Sequence, residues 1–171
     1  MQNHFDLFQL EQRFDVELAQ LDAAFREIQA RVHPDKFVGA SSAEQRIAMQ
    51  WATRANEAYQ TLKNPLKRAR YLCELHGVDL QTESNTSMPM AFLMQQMAWR
   101  EQLDDAKTNS AALDSLEAEV RDAHQQQLRQ IAEQIAQADY HQAAQSIRQM
   151  MFLEKFSDDI AHISEHLDSN T

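Results

Sequence analysis

Turn punctuation is almost missing from this chain, which has two glycines and three prolines in 171 residues. That scarcity argues for long helices joined by few turns. No stretch alternates apolar and polar residues well enough to predict a strand, so the expected fold class is all-α. The single cysteine, Cys73, excludes an internal disulfide and fits a reducing, cytoplasmic setting. Its simplest role is that of a small buried apolar residue. No run approaches ~18 consecutive apolar residues, so no membrane-spanning helix is expected. The opening Met1-Gln2-Asn3-His4-Phe5-Asp6 lacks a basic region followed by an apolar run, which argues against a secretory leader. With only Gly39 and Gly77 available, no glycine loop can cradle a phosphate, and the chain is not expected to bind ATP.

Positive charge is also scarce, but unevenly so. Residues 1–75 hold ten Asp/Glu and ten Lys/Arg, whereas residues 76–171 hold sixteen and six. The acidic half is a poor match for nucleic acid, whose phosphates need clustered Lys and Arg. The asymmetry also suggests two units with different partners.

What is present is helical periodicity. Phe5, Leu7, Phe8 and Leu10 form a short apolar opening. Asp15 is placed to cap a helix in which Leu18, Leu21, Phe25, Ile28 and Val32 recur at spacings of three and four. Pro34 stops it, because the residue before a proline leaves the α region. Ser41-Ser42-Ala43-Glu44 reads as a capping box for a second helix, with Ala48, Trp51 or Ala52, Ala55, Tyr59 and Leu62 as its stripe. The two should form an antiparallel hairpin. Asn64-Pro65 ends the second helix, Pro65 opens a third piece through Leu75, and His76-Gly77 stops that one. Residues 76–87, with the polar run from Val78 to Ser87, read as a linker. Beyond Pro89, helices are expected at about 90–106, 111–138 and 140–167. Leu113, Leu116, Val120, Leu128, Ile131 and Ile135 line the second, and Ile147, Met151, Phe156, Ile160, Ile163 and Leu167 line the third. Three such helices suggest a bundle spanning 88–171.

His33-Pro34-Asp35-Lys36 falls in the hairpin loop. Taken alone it is ordinary loop chemistry, in which Pro stops a helix and Asp satisfies turn amides. Its surroundings change that. Arg26 and Arg31 precede it, and Asn56-Glu57-Ala58-Tyr59-Gln60-Thr61-Leu62, Asn64-Pro65 and Arg68-Ala69-Arg70-Tyr71 follow. The whole of residues 1–75 resembles the J-domain family. The resemblance implies that His33, Pro34 and Asp35 stimulate the ATPase of a 70-kDa-class chaperone, with Arg26, Arg31 and Lys36 as basic contacts. Many J-domains carry a richer basic run here, whereas Glu27, Ile28, Gln29 and Ala30 separate the two arginines, which favours a dedicated chaperone. There is no Gly/Phe-rich stretch and no repeated Cys-x-x-Cys module, so client capture falls to the C-terminal half.

The helix at 90–106 has two apolar sides. Phe92, Trp99, Leu103 and Ala106 share one; Met90, Leu93, Met94, Met97, Glu101 and Asp105 share the other. Either both are buried, or the second is an exposed protein-binding strip. Ala91-Phe92-Leu93-Met94-Gln95-Gln96-Met97, Arg100-Glu101-Gln102-Leu103-Asp104 and Met151-Phe152-Leu153-Glu154-Lys155 are similar to the J-protein family of bacterial iron–sulfur cluster assembly, as are His4-Phe5-Asp6-Leu7-Phe8 and Pro65-Leu66-Lys67-Arg68-Ala69. That family implies two partners, the cluster scaffold IscU and the specialised chaperone HscA. It places Leu93, Met94, Met97, Glu101, Asp105 and Phe152 on the scaffold-binding face. Ala98 departs from it, standing where an acidic residue is expected. No enzyme activity, cofactor or metal is implied, and a monomer is expected.

Two other functions compete. A general J-protein would hold unfolded clients with no scaffold. A zinc hydrolase would use His162-Ile163-Ser164-Glu165-His166, which fits the H-x-x-E-H pattern. A catalytic zinc needs a third protein ligand, and this pair lies near the chain end, where helices fray.

Overall fold

The computed structural model describes residues 2–80 and 88–170. They form seven helices and, among the described residues, no strand: α1 (His4–Leu7), α2 (Leu18–Val32), α3 (Ser42–Lys63), α4 (Pro65–Leu75), α5 (Met90–Ala106), α6 (Ser110–Ala136) and α7 (Tyr140–Ser169). A 3₁₀ turn, Pro34–Phe37, lies between α2 and α3. The chain divides into two compact units, Met1–Leu75 and His76–Thr171.

In the first unit, α2 and α3 pack as a hairpin. Leu21 and Leu62 are fully buried beside Ala55 and Ala58, and Phe25 stacks on Tyr59 with ring centroids 4.1 Å apart. The Tyr59 hydroxyl donates to Asp22 Oδ1 at 2.7 Å, tying the helices together. Each buried Leu contributes about 2 kcal/mol. The exposed Arg31–Glu27 pair at 2.6 Å lies within α2 and adds only about 0.3–0.5 kcal/mol to that helix.

The helix starts later than Asp15. Its N-cap is Glu17, which makes no side-chain capping bond, and Leu18 is exposed rather than part of the buried stripe. Asp15 acts elsewhere. Arg68 on α4 is buried, with Nη1 donating to the Leu62 carbonyl at 2.6 Å and its guanidinium 4.9 Å above the Phe14 ring. Burial lowers the Arg68 pKa, and the charge of Asp15 counters that shift. The apolar opening closes into a helical turn, α1, through a reciprocal Asn3–Asp6 capping box that buries Phe5. The Ser41–Glu44 box opens α3.

The second unit is a three-helix bundle. Leu113, Leu116, Val120, Ile131 and Ile135 of α6 are buried, as are Ile147, Met150, Leu153, Phe156 and Ile160 of α7. Met151 does not line this core. It is 46% exposed, one residue out of register with the fully buried Met150, and Leu128, Ile163 and Leu167 are only half-buried. On α5, Trp99, Leu103 and Ala106 are buried, Trp99 stacks on Phe156 at 5.8 Å, and its Nε1–H donates to Glu119 at 3.2 Å. Of the segment read as a linker, residues 81–87 lie outside the described residues. His76 stacks on Tyr140 at 3.9 Å, Gly77 takes a φ of +82°, and Val78 and Leu80 are buried.

Candidate functional site

The His33-Pro34-Asp35 loop is built by a forced helix stop. Pro34 pushes His33 into extended backbone at ψ 136°, ending α2 at Val32. The chain then tightens into a 3₁₀ turn in which the Lys36 N–H donates to the His33 carbonyl at 3.0 Å. His33 Nδ1 accepts from the Asp35 N–H at 3.2 Å. The Asp35 carboxylate lies 3.6 Å from Nδ1, and both side chains are exposed, at 57% and 88%.

The far end of the loop is anchored by a residue that periodicity does not single out. Gln45 Nε2 donates to the carbonyls of Phe37 at 2.9 Å and Ala40 at 3.4 Å, clamping the loop to the first turns of α3. Because both ends are fixed, a partner loses little entropy in ordering the loop. Arg26, Arg31 and Lys36 are all exposed. They are not equally free: Arg31 is paired with Glu27, and Arg26 Nε donates to the Asp22 carbonyl at 3.3 Å. Arg26 and Arg31 are also about 140° apart around α2, so they do not share one row.

The second candidate is the outer strip of α5. Met90, Leu93, Met94 and Met97 are 71%, 43%, 62% and 66% exposed. Glu101 and Asp105 continue the strip and are exposed, as is Ala98. Within the second unit, α5 is therefore buried on one side only. Phe152 of α7, half exposed, joins α5 through an edge-on contact with Phe92 at 6.3 Å. Arg100 braces the same pair of helices by a 2.8 Å bond to Asp159. The strip can bury apolar area against a partner at one end and offer carboxylates to it at the other.

His162 and His166 have ring centroids 4.9 Å apart on α7. Among the described residues no group of three or more His, Cys, Asp or Glu could hold a metal ion. None of the described helices is long and apolar enough to cross a membrane.

Residues 88–161 match the family described as the HSCB C-terminal oligomerisation domain. A co-chaperone HscB homolog of Bordetella pertussis is 52% identical over 93% of this chain and 94% of its own length. Among solved structures, the chaperone HscB of Vibrio cholerae superposes with a TM-score of 0.85 at 35% identity, covering 96% of this chain and 99% of that one. Human co-chaperone HscB superposes with a TM-score of 0.88 at 28% identity, over 93% of this chain and 80% of that one.

Proposed function

The chain belongs to the HscB co-chaperone family, and from that membership we propose that it links a specialised 70-kDa-class chaperone, HscA, to the iron–sulfur cluster scaffold IscU. The first unit acts on the chaperone. His33, Pro34 and Asp35 engage the ATP-bound form and speed hydrolysis, with Arg26, Arg31 and Lys36 steering the approach. The second unit holds the scaffold through Leu93, Met94, Met97 and Phe152, while Glu101 and Asp105 set register against basic groups. The protein catalyses no reaction of its own and works in the cytoplasm, where the buried thiol of Cys73 stays reduced.

The observation that carries this reading is the exposure of two recognition elements on two separate compact units. A general J-protein for unfolded clients has no need of one continuous strip ending in carboxylates. The test is the chaperone's steady-state ATPase with scaffold alone, with this protein alone, and with both. Stimulation by both should exceed the sum of the two. Simple additivity would remove the linking role.

The matched family's description favours a second occupant for the strip, another copy of the chain. Sedimentation separates the two readings. The scaffold reading expects a monomer at micromolar concentration that forms a one-to-one complex when scaffold is added.

A further inference from the structure

Three of the four large apolar side chains on the α5 strip are methionines: Met90, Met94 and Met97, with Leu93 between them. Leucine would bury as much area and favour a helix equally well. The thioether adds flexibility and a sulfur that accepts oxygen. Elsewhere the pattern differs. Met150 sits in the bundle core with no exposure, and Met49 and Met151 are single exposed methionines on α3 and α7.

We propose that Met90, Met94 and Met97 form a peroxide-oxidation site that blocks docking of the scaffold; this rests on the scaffold reading of the strip. Hydrogen peroxide transfers one oxygen to each thioether. The S–O bond forms as the O–O bond breaks, water leaves, and sulfur gives up the two electrons that peroxide gains. The sulfoxide is polar and can only accept hydrogen bonds. Seated in an apolar contact without a donor, one such group weakens binding by about tenfold. Docked scaffold would shield the strip, so oxidation falls on free protein and blocks renewed binding. The two stereospecific methionine sulfoxide reductases reverse it.

The test uses the full-length protein, graded hydrogen peroxide, peptide mass analysis and scaffold titration. Met90, Met94, Met97, Met49 and Met151 should each gain one oxygen while Met150 does not. Scaffold affinity should fall at least about tenfold and return after reductase treatment. The triple variant Met90→Leu, Met94→Leu, Met97→Leu alters the strip itself, so its own affinity before peroxide is its reference. It should keep that affinity in peroxide although Met49 and Met151 still oxidise. Equal peroxide sensitivity of parent and triple variant, or unchanged binding by the oxidised parent, overturns the proposal. The single variants Met94→Leu and Met97→Leu, each expected to show partial protection, decide the matter if the triple variant binds poorly. Leu93→Ala in untreated protein separates the two ideas. If it weakens binding while sulfoxidation does not, only the oxidation site falls. If it leaves binding intact, the docking reading itself fails.

Discussion

Gln45 Nε2 lies 2.9 Å from the Phe37 carbonyl, a side chain in the second turn of α3 holding the loop that carries His33. The same amide reaches the Ala40 carbonyl. Gln45→Ala removes both bonds from an exposed site, so the stability loss should stay near 1 kcal/mol. The loop would then sample more conformations before docking. The expected result is a several-fold rise in the concentration giving half-maximal ATPase stimulation, with circular dichroism and scaffold affinity unchanged. An unaltered stimulation curve would show that the turn and the Ser41–Glu44 box suffice to order the loop.

His33→Gln keeps a polar side chain but not the imidazole geometry that accepts from the Asp35 N–H through Nδ1. ATPase stimulation should be abolished, with helix content and scaffold affinity intact. Surviving stimulation would refute the role assigned to the loop.

Leu93, Met97 and Phe152 are the tests of the strip. Each is exposed, so truncation to Ala leaves the bundle core filled and the melting temperature within a degree or two. Scaffold titration should show a loss above ~1 kcal/mol for each residue at the centre of the contact. Phe152→Ala also removes the edge-on partner of Phe92 and should cost the most. Unchanged affinity in all three would leave the strip without its proposed occupant.

Helix positions were legible because their signals are local. Pro34, the Ser41–Glu44 box, Asn64-Pro65 and Asn109 act over one turn, and α3, α4 and α6 begin within a residue of where those signals put them. Errors arose where a distant partner decides. Asp15 has a capping residue's chemistry, but its charge bears on Arg68, 53 positions along the chain. Met151 fits the periodic stripe, yet the register settles on Met150, since a long stripe drifts around a helix with 3.6 residues per turn. The two-sidedness of α5 was visible, but which side stays open depends on the seating of Trp99 and Phe156. The Gln45 clamp links groups eight residues apart through a turn whose geometry periodicity does not encode.

His4 gives the first unit a pH dependence. Its pKa is lowered below the ordinary 6.5 chiefly by burial, with Glu57 raising it and Arg54 lowering it further. The ring stacks on Tyr71 at 4.3 Å. The folded state therefore holds neutral His4, while the unfolded state takes up a proton once pH falls below about 6.5. The unfolded state binds more protons in that window, so stability is complete above it and falls as pH drops toward the lowered folded value. Urea midpoints of the full-length protein between pH 7.5 and 5 should decline for the first unit's transition, and His4→Gln should flatten the slope. An identical slope in the variant would assign the effect to other groups.

Arg68 is the remaining lever, because it satisfies α3 from inside the fold. The last carbonyls of a helix have no partner within it, and Arg68 Nη1 supplies one to Leu62. Its Nε finds no hydrogen-bond partner among the described residues, so burial of the charge is only partly offset. Truncation removes that burial cost along with the bond. Arg68→Ala should still destabilise the first unit by about 2 kcal/mol, since it leaves a buried carbonyl without a donor and a cavity beside Phe14. Arg68→Lys should be nearly as damaging: an ammonium cannot lie flat over the Phe14 ring while reaching Leu62. Arg68→Met refills the volume without a donor and should fall between the parent and Arg68→Ala. Calorimetry of the three variants gives the order, and a lysine variant as stable as the parent would show that charge alone matters there.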